Sequence, residues 1–151
     1  MMDELDRKIL RILQEEGRIT NQELATRCAM SPSACLDRMR RLKERGFIRG
    51  YAALLDPVLL NQSFLVFVEV VLERTTGDIF RQFSDSVRMR PEIMECHMVA
   101  GGFDYLLKLR MPDMIAYRRF LVEVLAEIPG VRETRTYAVM DEVKSSFALP
   151  I

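Results

Sequence analysis

Six cationic side chains, Arg38, Arg40, Arg41, Lys43, Arg45 and Arg49, crowd one short stretch of the chain, where Asp37 and Glu44 alone oppose them. Guanidinium and ammonium groups at that density suit a polyanion such as nucleic acid. A basic run is also commonly a solvated helix face, so the element that carries it has to decide. A second stretch, Val99-Ala100-Gly101-Gly102-Phe103-Asp104-Tyr105, has the makings of a small-molecule site. Paired glycines let backbone N–H groups cradle a carboxylate, and Asp104 offers an acceptor for an ammonium, which together are what a free amino acid requires. Gly-Gly between strands is equally the composition of a plain hairpin turn.

Other reactive residues lack partners. His97 is the single histidine, and Cys28, Cys35 and Cys96 form no C-x-x-C pair, so neither a metal site, a disulfide framework nor a catalytic triad is indicated. Phosphate-cradling, dinucleotide-binding and zinc-helix motifs are missing too. The expectation is a protein that binds rather than catalyses, with no catalytic residue, metal or cofactor.

The elements around the basic run give it a place. Leu5, Ile9, Ile12 and Leu13 recur at three and four, so a first helix buries one face, and Asp3, Glu4 and Asp6 suit its positive end. Thr20-Asn21-Gln22-Glu23 is a T-x-x-E capping box that starts a short second helix. Ser31-Pro32 restarts the chain as a third, with Ser31 as N-cap, Pro32 in the first turn and Gly46 beyond the end. Two helices separated by so few residues make a helix-turn-helix. On the third helix Cys35, Met39 and Leu42 face inward, which leaves Ser33, Ala34, Asp37, Arg38 and Arg41 outward. Ser33, Ala34, Asp37 and Arg38 are the candidates nearest base edges, Arg40, Arg41, Lys43 and Arg45 the candidates for phosphate, and Ser31 joins them as a DNA-binding candidate.

Residues 1–50 hold 11 of the 22 basic and 8 of the 22 acidic residues, so the leading third is net +3 and the remainder −3 in a chain of zero overall charge. At 151 residues, 49% hydrophobic and 29% charged, the chain is long enough for two small folded domains and lies outside the disordered regime. No signal-peptide pattern opens it, and its longest apolar run, Phe64 to Leu72, is broken by Glu69. A cytoplasmic protein with no membrane segment is expected.

Asp56-Pro57 and Asn61-Gln62-Ser63 mark a linker over 51–62, between a helix-turn-helix domain at 1–50 and a second domain at 63–151. In the second domain the period switches. A strand is expected over 64–73, a helix over 77–87 and strands over 93–99 and 105–110. A helix capped by Asp113 follows, with a stripe of Ile115, Phe120, Leu121, Val124 and Leu125, and a last strand runs over 131–140. This β-α-β-β-α-β order is a ferredoxin-like split βαβ unit, which makes the chain α+β.

Six segments, LDRKILRILQEEGRITNQELA, SPSACLDRMRRLKERGFIRGYAALLDP, LVFVEV, IMECHMVAGGFDYLLK, PDMIAYRRFL and LAEIPGVRETRTYAVMDEVK, together span nearly the whole chain. In them it resembles the Lrp/AsnC, or feast/famine, family of bacterial and archaeal transcriptional regulators. The resemblance implies a winged helix-turn-helix, a ferredoxin-like effector domain, homodimers pairing through their sheets, and rings of dimers, often octamers. It also implies a small amino acid, leucine or methionine, whose binding adjusts assembly and the occupancy of double-stranded DNA. By similarity Met98, Met114, Thr136, Tyr137 and Val139 join Gly101, Gly102, Phe103, Asp104 and Tyr105 as effector-site candidates. Two other readings stay open: an architectural DNA-binding protein with little effector response, and an amino-acid-binding regulatory subunit of an enzyme.

Overall fold

The computed structural model describes residues 2–73 and 77–151. These divide into two compact units, one formed by residues up to Leu54 together with Val143–Ile151, the other by Leu55–Glu142.

The first unit is built on helices α1 (Glu4–Glu15), α2 (Asn21–Arg27) and α3 (Pro32–Glu44). Each starts on the cap its sequence offers. Asp3 and Asp6 form a reciprocal capping box on α1, while Thr20 and Ser31 accept N–H groups of Glu23 and Ala34. Inside, Ile9, Leu10, Leu24, Ala25, Cys28, Cys35 and Leu42 form one apolar cluster. Burial pushes the thiols of Cys28 and Cys35 up, so both sit as protonated, unreactive packing groups.

Two helix ends turn left-handed. After α3, Gly46 (φ 78°) places its N–H on the Lys43 carbonyl and that of Phe47 on Leu42, the paired bonds of a Schellman motif. After α2 the same bonds run from Ala29 to Thr26 and Met30 to Ala25, yet the left-handed residue is Ala29 (φ 55°). An exposed alanine therefore occupies the tight turn between α2 and α3, where glycine is the unstrained choice.

Residues 46–63 form no paired strand, and the chain enters the second unit through a turn in which the Asp56 carboxylate accepts the N–H groups of Val58 and Leu59. Strands β1 (Phe64–Leu72), β2 (Ile93–Met98), β3 (Tyr105–Met111) and β4 (Val131–Ala138), with helices α4 (Ile79–Arg88) and α5 (Met114–Phe120), complete the β-α-β-β-α-β order. The sheet is antiparallel, in the order β2-β3-β1-β4. Both helices lie on one face, where Val66, Val68, Val70, Tyr105, Leu107 and Leu109 meet Phe83, Val87, Tyr117 and Phe120. Gly130 (φ 88°) closes the loop before β4 where an added Cβ would overlap Ile79.

Two expectations are revised. Ile115, assigned to the inward stripe of α5, is 72% exposed, and Tyr117 takes the buried place. Ile115 stands five residues before Phe120, roughly 140° away around a 3.6-residue helix, so the two do not share a face; beyond Phe120 the helix continues into a π turn over Leu121–Leu125. The tail also departs from the 63–151 domain. Gln14 Nε2 donates to the Leu149 carbonyl (3.1 Å), Arg11 Nε donates to the Ile151 carbonyl oxygen (2.6 Å), and Ile151 packs on the first unit's apolar cluster.

Replacing Ala29 by glycine relieves the left-handed strain at a small cost in unfolded-chain entropy, so Ala29→Gly is expected to stabilise the first unit by about 1 kcal/mol. Thermal or urea unfolding checks this, and an unchanged midpoint contradicts the strain assigned to that turn.

Candidate functional site

Helix α3 presents the basic residues as one solvent-facing ridge. Ser33, Ala34, Asp37, Arg40, Arg41, Lys43 and Arg45 are all exposed. Ser31 is occupied as the N-cap, its Oγ accepting the Ala34 N–H at 3.3 Å. Arg40 reaches Asp37 (3.3 Å) and Glu44 (3.9 Å) along the helix, in solvated pairs that hold it only weakly. The Arg45 guanidinium stacks 4.9 Å over the Phe47 ring. Arg41 and Lys43 have no ion-pair partner among the described residues.

Arg38 departs from the outward placement its spacing suggested. Its Nη1 donates to Asp3 Oδ2 and to Asp6 Oδ1, both at 2.7 Å, and its side chain is 23% exposed. It lies on the border between the buried stripe and the ridge, and the carboxylates at the start of α1 draw it inward. The Arg38 hydrogen bond holds the Asp3 carboxyl below the usual carboxylate range, and the same bonds from Asp3 and Asp6 raise Arg38 in turn. The ridge also carries a residue that the basic pattern hid. Leu36 is 60% exposed beside Asp37 and Arg40, signalled in the sequence only by an apolar side chain off the Cys35/Met39/Leu42 stripe.

Strand alternation sorts the second group of candidates. Phe67 lies opposite Tyr137, and Glu69 opposite Arg135, on the sheet face away from the helices. There Glu69, Val71, Gly102, Phe103, Glu133, Arg135 and Tyr137 line a concavity of about 230 Å³. The Tyr137 hydroxyl donates to Glu69 Oε1 (3.1 Å), and this bond to the carboxylate pushes the phenol up. Arg135 Nε donates to Glu133 Oε1 at 3.0 Å. Neither Gly101 nor Gly102 has a positive φ, and an added Cβ at either meets nothing within 4 Å. What Gly102 contributes is an open wall rather than a strained turn.

Six other candidates lie elsewhere. Tyr105 is paired with Val70 and Met98, faces the helices, and stacks on Phe83 at 4.6 Å within the core. Thr136, opposite Val68, shares that face and hydrogen-bonds the Tyr117 hydroxyl. Met98 ends the edge strand β2 and Met114 begins α5, both exposed, while the Val139 N–H extends β4 by donating to the Leu65 carbonyl at 3.0 Å. Asp104 is 8% exposed, and its Oδ2 accepts the Leu72 N–H at 2.8 Å where β1 slips register against β4. A carboxylate committed to backbone at a strand irregularity serves the fold, so the ammonium-accepting role expected of Asp104 is withdrawn. The acidic groups that do face the concavity, Glu69 and Glu133, were missed, although Glu69 is the one charge in FLVFVEVVL.

Comparison with known proteins fits both halves. Residues 2–49 match the winged helix-turn-helix DNA-binding domain, and residues 65–149 match the Lrp/AsnC ligand binding domain. The chain is 55% identical over 150 residues to the leucine-responsive regulatory proteins of Klebsiella pneumoniae and Escherichia coli, covering 99% of its own length and 92% of theirs.

The chain belongs to the Lrp/AsnC family.

Solved structures agree with this assignment to the Lrp/AsnC regulators. A transcriptional regulator from Neisseria meningitidis in complex with L-Met superimposes with a TM-score of 0.96 at 40% identity, over 99% of this chain and 97% of that one. The feast or famine regulatory protein of M. tuberculosis complexed with L-methionine gives 0.85 at 29% identity, over 99% of each chain. This Lrp/AsnC chain is accordingly an amino-acid-responsive transcriptional regulator, with a DNA-binding helix-turn-helix and an α+β ligand-binding domain. Among the described residues no helix is long and apolar enough to cross a membrane, and no group of three or more His, Cys, Asp and Glu residues could hold a metal ion.

Arg38→Met removes the partner of the mostly buried Asp6 carboxylate and is expected to cost the first unit about 2 kcal/mol, typical of a hydrogen bond to a charged group. Because the folded Asp3 value is lowered, its contribution is present above the unfolded carboxylate range and fades as pH falls through the folded value. The acid limb of stability should therefore flatten in the variant. Urea titrations across pH 2 to 6 measure both, and a parallel acid limb in the two proteins counts against the clamp.

Proposed function

We propose that this regulator lays α3 in the DNA major groove as a homodimer. Ser33, Ala34, Leu36 and Asp37 then lie nearest the bases, and Arg40, Arg41, Lys43 and Arg45 bind phosphate. Arg38 acts as a positioning residue that fixes α3 against α1. The observation that carries this reading is the exposed α3 ridge, on which Arg41 and Lys43 have no ion-pair partner among the described residues. Phosphate contacts set register and affinity, while base edges discriminate sequence. A two-fold pair of such helices reads half-sites about one helical turn apart.

The effector in this proposal is leucine or methionine, held at the open-face concavity. Arg135 meets its carboxylate, Glu69 and Glu133 its ammonium, and Val71 and Phe103 its side chain. Support comes from the charge pattern of that concavity and from two structural relatives solved in complex with L-methionine. Dimers assembling into an octamer would cover the apolar residues that this chain leaves exposed on Leu54, Leu55, Val58 and Leu59. The protein works in the cytoplasm by binding and has no catalytic role.

Fluorescence anisotropy on operator and random duplexes tests the DNA arm. Lys43→Ala and Arg41→Ala should weaken both duplexes alike and each lower the salt slope by about one, whereas Asp37→Ala should change base preference. Equal binding to operator and random DNA by the wild type would favour the architectural alternative.

A thermal-shift screen of amino acids tests the effector arm. At about 100 times its dissociation constant a ligand adds roughly 2.7 kcal/mol to the folded state. L-leucine or L-methionine should raise the melting temperature, and Arg135→Ala should remove most of that rise. A flat screen would overturn the sensing assignment.

A further inference from the structure

Among the described residues of α1, α2 and α3, Leu36 is the one large apolar side chain that stands exposed, at 60%. It takes no part in the apolar cluster of Ile9, Leu24, Cys35 and Leu42, so its isobutyl group does not hold the helices together. A single exposed leucine is ordinary on a protein surface, but this one stands inside a polar and cationic stripe. At 3.6 residues per turn Leu36 shares its side of α3 with Ser33 before it and with Arg40 and Lys43 after it, Lys43 lying roughly 20° from it around the axis. All three neighbours are exposed. The stripe therefore presents a hydroxyl, an aliphatic group and two cations in that order, with Leu36 in the second turn of the 13-residue helix.

In a helix laid along the major groove, the N-terminal turns approach base edges and cations further along reach phosphate. An aliphatic side chain at a base edge discriminates in one direction. Against guanine, adenine or cytosine it covers ring nitrogens, carbonyls or amino groups and returns no hydrogen bond, which costs free energy. The C5-methyl of thymine is the one apolar group that the major groove displays.

We propose that Leu36 is a specificity-determining residue that selects thymine, packing its isobutyl group against the C5-methyl in each half-site; the assignment rests on the major-groove placement of α3. Arg40 and Lys43 on the same stripe hold phosphate, so one line of side chains both reads a base and grips the backbone beside it.

Fluorescence anisotropy with the full chain tests this on a duplex that the protein selects from random sequence, and on copies in which each thymine in turn is replaced by uracil, which removes only the methyl group. The wild type is expected to lose about fourfold in affinity at one thymine per half-site, the worth of one buried methyl group. Leu36→Ala, at an exposed position and with a good helix former, should bind the parent duplex more weakly and be indifferent to uracil at that thymine. Leu36→Met, which restores an aliphatic group, should restore the discrimination. No loss with uracil, or an equal loss in the wild type and Leu36→Ala, as expected of an effect on duplex shape, overturns the proposal. So does an unchanged thymine preference in Leu36→Ala together with altered sedimentation, which would give the leucine to contacts between copies of the chain. Should Lys43→Ala and Asp37→Ala also leave DNA binding untouched, the placement of α3 itself has failed; should they alter it while Leu36→Ala does not, only the thymine assignment has.

Discussion

The helix-turn-helix depends on one charged contact. Arg38, on the helix that faces DNA, is bound by the two carboxylates that also cap the first helix, so a single guanidinium ties the start of α1 to the middle of α3. Apolar packing alone lets helices slide along their ridges, because methyl groups have no direction. Two short charge-assisted bonds do have direction, and they set the rotation of α3 about its axis. Which side chains form the outer ridge follows from that rotation. Arg27 adds a second tie of this kind between the end of α1 and α2, bridging Glu16 and Glu23.

In the ligand-binding domain the corresponding constraint is the two-sidedness of the sheet. Once Val66, Val68 and Val70 are committed to the helices, their neighbours Phe67, Glu69 and Val71 must face the other way. Antiparallel register then carries the choice across to β3 and β4, residue by residue. Asp104 anchors the one place where the pattern slips, holding the Leu72 N–H beside the shift in the β1–β4 ladder. The open face therefore inherits its mixture of charge and phenol from the strands, and the loop at 99–104 contributes only Gly102 and Phe103 to the concavity.

The sequence was informative wherever a local rule sufficed. Caps at Thr20, Ser31 and Asp113, the glycine after α3, and the switch from helical to strand period all placed elements within a residue or two of where they stand. The misplaced residues share a cause: their surroundings are set by partners far away in the chain. Arg38 looked free because Asp3 and Asp6 lie more than 30 residues upstream. Tyr105 and Thr136 looked like pocket walls because their face is fixed by register with β1, which periodicity within one strand does not supply. Ile115 is the exception, since five residues from Phe120 put it roughly 140° away around the helix.

The tail over Val143–Ile151 has a consequence for how this chain is made. The DNA-binding unit is discontinuous, and Ile151 packs into its apolar cluster while Leu149 exchanges hydrogen bonds with Gln14. A ribosome that has released residues 1–54 has therefore not yet delivered everything that unit contains. The intervening ligand-binding domain is contiguous and can close first, so the segment translated earliest is among the last to be finished.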